Sequence, residues 1–66
     1  MQVLVNNHHQ EMEAHTSLLQ LLEKLELRGG RIAVELNGEI VPRSSFHQCQ
    51  LHNGDTIEIV KAIGGG

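Results

Sequence analysis

Hydrophobic positions along the chain change spacing several times, and each spacing predicts a different element. Residues Met1 to Val5 are rich in β-formers and alternate in part, which predicts a first strand. Asn6-Asn7 followed by His8-His9 is typical of a turn, because asparagine tolerates the left-handed backbone region. A short second strand is then expected over residues 10–14.

The clearest helical pattern begins at Thr16-Ser17. Ser17 can cap the helix, and Gln20 follows it at the spacing of a capping box. The next leucines recur at i, i+3, i+4 and i+7 and form one amphipathic stripe: Leu18, Leu21, Leu22 and Leu25. We expect the helix to end at Gly29-Gly30, where a C-terminal glycine cap would lie.

Strict alternation returns in the second half of the chain. Residues 32–36 predict a third strand, and Asn37-Gly38 predicts a tight hairpin into a fourth strand at residues 39–41. Pro42 ends that strand, because proline cannot donate to a β-ladder. One helical turn is expected at residues 44–46, where Phe46 would anchor its loop against the core.

The last strand follows the turn Asn53-Gly54-Asp55. Along it, Ile57 and Ile59 are expected to face the core, with Glu58 and Val60 on the other face. The patterns together predict these core residues: Val3, Val5, Leu18, Leu22, Leu25, Val34, Leu36, Ile40, Ile57 and Ile59.

The element order β-β-α-β-β-β restricts the fold. One helix can cover one face of a mixed sheet only if the strands wrap around it. A helical crossover also favours parallel pairing of the first and last strands, at the centre of the sheet. We therefore expect an α+β protein with a β-grasp over residues 1–63, a mixed sheet of four to five strands packed on one helix, and a flexible glycine tail at residues 64–66.

Composition narrows the functional class. A 66-residue chain buries only about 60% of its unfolded surface, which leaves no room for a deep substrate cleft, so we expect no enzyme. A net charge of −3 with five dispersed basic residues argues against nucleic acid as a partner. One cysteine, Cys49, and no signal, lipidation or membrane-spanning pattern predict a cytoplasmic protein with no membrane contact.

The glycines at the end of the chain, Gly64, Gly65 and Gly66, directly follow the last strand-like run. Glycine has no Cβ and adds little to packing. A run of three glycines is, however, slim enough to enter a narrow channel and present a terminal carboxylate to another protein's active site. We predict that these three residues bind in such a channel and that Gly66 is the residue that becomes modified.

Several segments resemble the ubiquitin-like sulfur carriers, and most of all the ThiS family of bacterial thiamine biosynthesis. The resemblance covers the whole chain and rests on five segments: residues 1–5, residues 16–25, residues 33–43, Asn53-Gly54-Asp55 and the C-terminal glycines. The segment from Ala33 to Arg43 is the most specific. Here Ile63 precedes three glycines, where the family often has a small residue before two.

The resemblance implies a mechanism and a set of partners. An adenylating enzyme, which itself binds ATP and Mg²⁺, would convert the Gly66 carboxylate into an acyl adenylate. Sulfur originating from cysteine and delivered by sulfur-donor proteins would displace AMP and leave a thiocarboxylate. Thiazole synthase would then accept the sulfur. In this scheme the chain holds no cofactor and is a co-substrate.

Two other sets of residues could form functional sites. His47, Cys49 and His52 supply three possible metal ligands where structural zinc usually has four, so we interpret them as ordinary loop residues and predict no metal. Val60 and Ile63 are apolar, adjoin the tail and lie off the core register, so we predict a docking surface there. The alternative is that Val60 packs beneath the helix or a loop.

Three other functions remain open at this point. A sulfur carrier for molybdopterin synthesis shares the fold and the tail, and a ubiquitin-like modifier would use the same carboxylate to form isopeptide bonds. A small histidine-bearing metal-binding module is the third.

Overall fold

The computed structural model describes residues 1–27 and 31–61. The glycines expected to end the helix, together with Ile63 and the glycine tail, lie outside these residues. The elements occur in the predicted order: β1 (Gln2–Val5), β2 (His8–Glu11), α1 (Leu18–Lys24), β3 (Ile32–Leu36), β4 (Glu39–Val41), a 3-10 turn (Arg43–Ser45) and β5 (Thr56–Lys61).

The five strands form one mixed sheet in the order β2-β1-β5-β3-β4. β1 and β5 are parallel neighbours, and every other adjacent pair is antiparallel. Buried residues of α1 join the strands in a single core cluster, so the helix covers one face of the sheet. The predicted β-grasp, with the first and last strands paired at its centre, is confirmed. We call the sheet face turned away from α1 the outer face.

The second strand begins earlier than predicted. Asn6 and Asn7 have φ angles of 48° and 69°, the left-handed values that a two-residue type I′ turn requires. Such a turn pairs the residues on either side of it, and Val5 is indeed opposite His8. His8 and His9 therefore belong to β2, and the expectation that they form a turn was wrong, as was the placement of the strand at residues 10–14.

The N-terminus of α1 agrees with the sequence prediction. The Ser17 hydroxyl accepts a hydrogen bond from the Gln20 amide, and the Gln20 side chain accepts one from the Ser17 amide, so the capping box is complete. The amides of Leu18 and Leu19 donate to the carbonyls of Cys49 and Phe46. These bonds satisfy donors that have no partner within a helix.

Across the described residues, no helix is long and apolar enough to cross a membrane.

The helix ends earlier than predicted, at Lys24 with Leu25 as its C-cap. Glu26 follows with a φ of 59°, and the Leu27 amide donates to the Leu22 carbonyl at 2.8 Å. A second bond runs from the Glu26 amide to the Glu23 carbonyl. These two bonds define a Schellman motif, here with glutamate in the left-handed position that glycine usually occupies.

The core differs from the predicted list in both directions. Seven predicted residues are buried: Val3, Val5, Leu18, Leu22, Val34, Ile57 and Ile59. Leu25 and Leu36 are half-buried against them. Met12, Leu21 and Leu51 also belong to the core and were not predicted, whereas Phe46 anchors its loop as expected.

Ile40 was wrongly assigned to the core, because 74% of it is exposed. β4 pairs with β3 so that Ile40 lies directly opposite Glu35. Opposite residues share a face of the sheet. Glu35 is on the outer face because its neighbour Val34 is buried on the helix side of the sheet. The hairpin register therefore places Ile40 on the outer face.

Candidate functional site

β5 leads towards the predicted reactive end of the chain, and it is held on both sides. It pairs with β1 through Leu4 and Val5, and with β3 along its whole length, as far as Lys61 opposite Ile32. The predicted tail, Gly64 to Gly66, lies outside the described residues, so its role stays a prediction. The strand that precedes the tail, β5, lies within the described residues.

The side chain of Asn6 extends the pairing between β1 and β5 beyond the point where β1 turns away. Its Oδ1 accepts a hydrogen bond from the Ile59 amide at 2.8 Å, and its Nδ2 donates to the Ile59 carbonyl at 3.1 Å. The Asn6 backbone amide donates to Ile57, so the side chain takes over one step further along β5. An amide side chain thus replaces a strand at this position.

Val60 lies on the outer face of β5 and is 61% exposed. It is opposite Ala33, while its neighbour Ile59 is turned into the core. The predicted register of the last strand is confirmed, and the alternative that Val60 packs beneath the helix or a loop is wrong. Ile63, the second residue of the predicted docking surface, lies outside the described residues, and the docking role itself stays a prediction.

Two glutamates face each other beside the exposed side chains of Ile40 and Val60. Glu35 of β3 is directly opposite Glu58 of β5. The Asn37 amide donates to the Thr56 carbonyl at 2.7 Å, which marks that pair as hydrogen-bonded. Glu35 and Glu58, two residues further along each strand, form a pair of the same kind, with Cα atoms about 5.5 Å apart. Both side chains are exposed on the outer face.

The histidines and the cysteine of the loop before β5 do not converge on a metal site. Within residues 1–27 and 31–61, no group of three or more His, Cys, Asp or Glu side chains is arranged to hold a metal ion. Cys49 is half-buried. Burial and, to a lesser extent, the Asp55 carboxylate raise the pKa of the Cys49 thiol, which disfavours the nucleophilic thiolate.

Three features of this region were missed by the sequence analysis. The exposure of Ile40 had a usable signal, since a two-residue turn at Asn37-Gly38 forces Ile40 opposite Glu35. The bonds from Asn6 to Ile59 join residues 53 positions apart, and no local pattern announces them. The Glu35–Glu58 pair likewise depends on the register between β3 and β5.

A five-stranded mixed sheet on one helix, with the last strand at its centre, defines a ubiquitin-like β-grasp domain. The sequence of this domain ends in glycines that follow the central strand. The chain belongs to the ThiS family, whose sequence model matches residues 3–66 and so extends through the terminal glycine.

Individual relatives agree with this assignment. The sulfur carrier protein ThiS of Escherichia coli K12 is 35% identical over the full length of both chains. The crystal structure of the thiamine biosynthesis protein ThiS from Geobacter metallireducens superposes with a TM-score of 0.85 at 29% identity, again over the full length of both chains.

A third relative is much longer than this chain. Thiazole synthase of Paramagnetospirillum magneticum AMB-1 is 39% identical over all 66 residues, and the matched region makes up 20% of that protein. The chain therefore spans only a fifth of the length of this relative.

Proposed function

We propose that this chain is a sulfur carrier of thiamine biosynthesis that acts through its Gly66 carboxylate. The observation that carries the proposal is the family match, which continues through the last glycine of the chain. The full-length similarity to the sulfur carrier protein ThiS of Escherichia coli K12 supports it. The central position of β5 supports it as well, because a firmly held strand gives partners a fixed surface beside the reacting end.

The proposed chemistry has two steps on the Gly66 carbonyl carbon. A carboxylate is a poor electrophile, so an adenylating enzyme first joins it to AMP from ATP and releases pyrophosphate, with Mg²⁺ held by that enzyme. A persulfide on a donor protein then forms a C–S bond as the C–O bond to AMP breaks, and a thiol reductant cleaves the S–S bond of the resulting acyl disulfide, which frees the donor. The product is a thiocarboxylate, a stronger nucleophile than the original acid.

Thiazole synthase is the proposed acceptor of this sulfur. Relatives of this chain occur as a fifth of two longer proteins named thiazole synthase, so the carrier sequence and the synthase sequence are found joined in one polypeptide. In this scheme the chain contributes the reacting carboxylate and a docking surface, and its partners contribute catalysis. We place it in the cytoplasm, where a reducing environment preserves a thiocarboxylate.

Intact mass spectrometry tests the proposal directly. The chain is incubated with its adenylating enzyme, ATP, Mg²⁺ and a sulfur donor, and we expect a mass gain equal to one oxygen replaced by sulfur. A variant that lacks Gly66 is the matched control and should show no gain. An unchanged mass for the full chain, with enzymes proven active on another carrier, would contradict the proposal and favour a conjugation or binding role for the tail.

A further inference from the structure

The outer face combines exposed apolar side chains with an unfavourable arrangement of charge. Ile40, Glu35 and Glu58 lie in one cross-strand row over β4, β3 and β5. Val60 follows Glu58 on the same face of β5, about 7 Å along the strand. The two carboxylates are thus bordered by the two large apolar side chains that are most exposed in the described part of the chain, Ile40 and Val60.

The repulsion between Glu35 and Glu58 has no ion pair to offset it among residues 1–27 and 31–61. Like charges placed directly opposite each other destabilise a sheet. Within the described residues, no ion pair joins either carboxylate to a basic side chain. The basic residue Arg31, which precedes β3, is four positions from Glu35 and forms no ion pair with it. A basic group supplied from outside would therefore remove a repulsion as well as add an attraction.

We infer that the outer face, centred on Glu35 and Glu58 and bordered by Ile40 and Val60, is the surface on which thiazole synthase docks an arginine or lysine surrounded by apolar side chains. This inference rests on the proposed function. A guanidinium or ammonium group placed between the two carboxylates can bind both, and the flanking Ile40 and Val60 exclude water from the contact.

The position of the reacting end supports this choice of surface. Six peptide steps separate Val60 from Gly66, so chain geometry limits their separation to about 20 Å. A protein large enough to enclose the Gly66 carboxylate therefore extends over ground close to Val60. The joining of carrier and synthase sequences in one polypeptide in two relatives makes thiazole synthase the occupant to which we commit.

A second copy of this chain does not fit the surface. The ionised residues among the outer-face positions of the strands are Glu11, Glu35 and Glu58, all acidic. Two copies stacked with their two-fold axis at this point would bring one Glu35–Glu58 pair against another, which repels. The complementary partner is basic at this point.

The test uses the double variant E35Q/E58Q, which keeps side-chain size and removes both charges. Its affinity for thiazole synthase, measured by calorimetry at low and at moderate salt, should fall roughly tenfold at low salt and lose most of its salt dependence. E13Q/E26Q is the matched control, because Glu13 and Glu26 are exposed outside the strands and the double variant makes the same change in net charge. E13Q/E26Q should bind like the wild type.

A second measurement separates docking from folding. In urea unfolding of the free chain, E35Q/E58Q should be more stable than the wild type, with its equilibrium shifted roughly two- to fivefold towards the folded state, because a cross-strand repulsion has been removed. A residue pair with a purely structural role would not gain stability while losing affinity for the partner.

Each remaining outcome overturns a different statement. Unchanged affinity and salt dependence in E35Q/E58Q, with a wild type that binds, would overturn the inference and leave the proposed function standing. A raised KM for adenylation with unchanged synthase binding would assign the face to the adenylating enzyme instead. A wild-type chain that neither binds thiazole synthase nor forms a thiocarboxylate would overturn the proposed function together with the inference.

Discussion

The side chains of Asn6 and Asn37 each form hydrogen bonds with the backbone of β5 that a neighbouring strand would otherwise form. Asn6 bonds both polar groups of the Ile59 backbone. Asn37 accepts a hydrogen bond from the Thr56 amide and donates another to the Asp55 carboxylate, which in turn accepts one from the His52 amide. Both asparagines also have positive φ angles, so each serves as turn residue and as crosslink to β5 or the loop before it. Asparagine suits both tasks, since it tolerates that backbone region and carries a donor and an acceptor.

Substitution of Asn6 should separate these two tasks. Asn6→Ala removes both bonds to Ile59 and places alanine at a φ of 48°, so we expect a loss of about 3 kcal/mol in the free energy of unfolding. Asn6→Gly removes only the bonds, and about 2 kcal/mol should be lost. Urea unfolding measures both, with Asn7→Gly as the control that should cost nothing. Equal stability of Asn6→Ala and Asn7→Ala would contradict the role of the Asn6 side chain.

At the scale of the element, the turns decided which sequence predictions succeeded. Asn37-Gly38 gave the hairpin correctly because both residues favour the required φ angles locally. The error at Ile40 came from treating alternation as if it also named the buried face. A two-residue turn pairs the residues on either side of it, so a turn at Asn6-Asn7 places His8 opposite Val5. Register in a short hairpin follows its turn, and hydrophobicity alone does not determine it.

The end of α1 was missed for a different reason. Glycine is the usual residue in the left-handed position at a helix end, whereas Glu26, at a φ of 59°, closes the Schellman motif of α1. No propensity scale favours glutamate there, so the tertiary packing of Leu25 and Leu27 against the core determines where the helix stops. The cost of the left-handed glutamate is small enough for that packing to outweigh it.

Glu26→Gly should therefore stabilise the protein, by about 1 kcal/mol, because glycine adopts the left-handed conformation without steric cost. Thermal or urea unfolding shows the gain as a raised midpoint. Glu26→Ala is the matched control, since it removes the same side chain but keeps the strain, and it should not stabilise. A destabilised glycine variant would mean that the Glu26 side chain makes a contribution larger than the strain.

For the molecule as a whole, the sequence predicted the fold more fully than the site. Element order and one helix were enough to place β1 beside β5, because few topologies let a short helix cover a mixed sheet. The glycine tail at residues 64–66 was predicted from its position after the last strand-like run, and it stays a prediction because it lies outside the described residues. The outer face was found only in part: Val60 follows from alternation along one strand, whereas the Glu35–Glu58 pair needs a register between strands more than twenty residues apart.

Val60→Gln tests whether the predicted docking surface is real. Because Val60 is largely exposed, we expect the free energy of unfolding to change by less than about 1 kcal/mol. Loss of an apolar contact at a protein interface should nevertheless weaken binding to thiazole synthase roughly tenfold. Val60→Ile, which keeps the apolar contact, should bind normally. If Val60→Gln binds as tightly as the wild type, the docking surface lies elsewhere.

The parallel pairing of β1 and β5 also has a consequence for synthesis. The ribosome makes β1 first, but its central partner comes after every other strand of the sheet. The middle of the sheet cannot close until β5 has left the exit tunnel, so we expect products that stop before Thr56 to be unfolded and open to proteolysis. Under that expectation, only molecules translated through β5 fold and reach the partner enzymes.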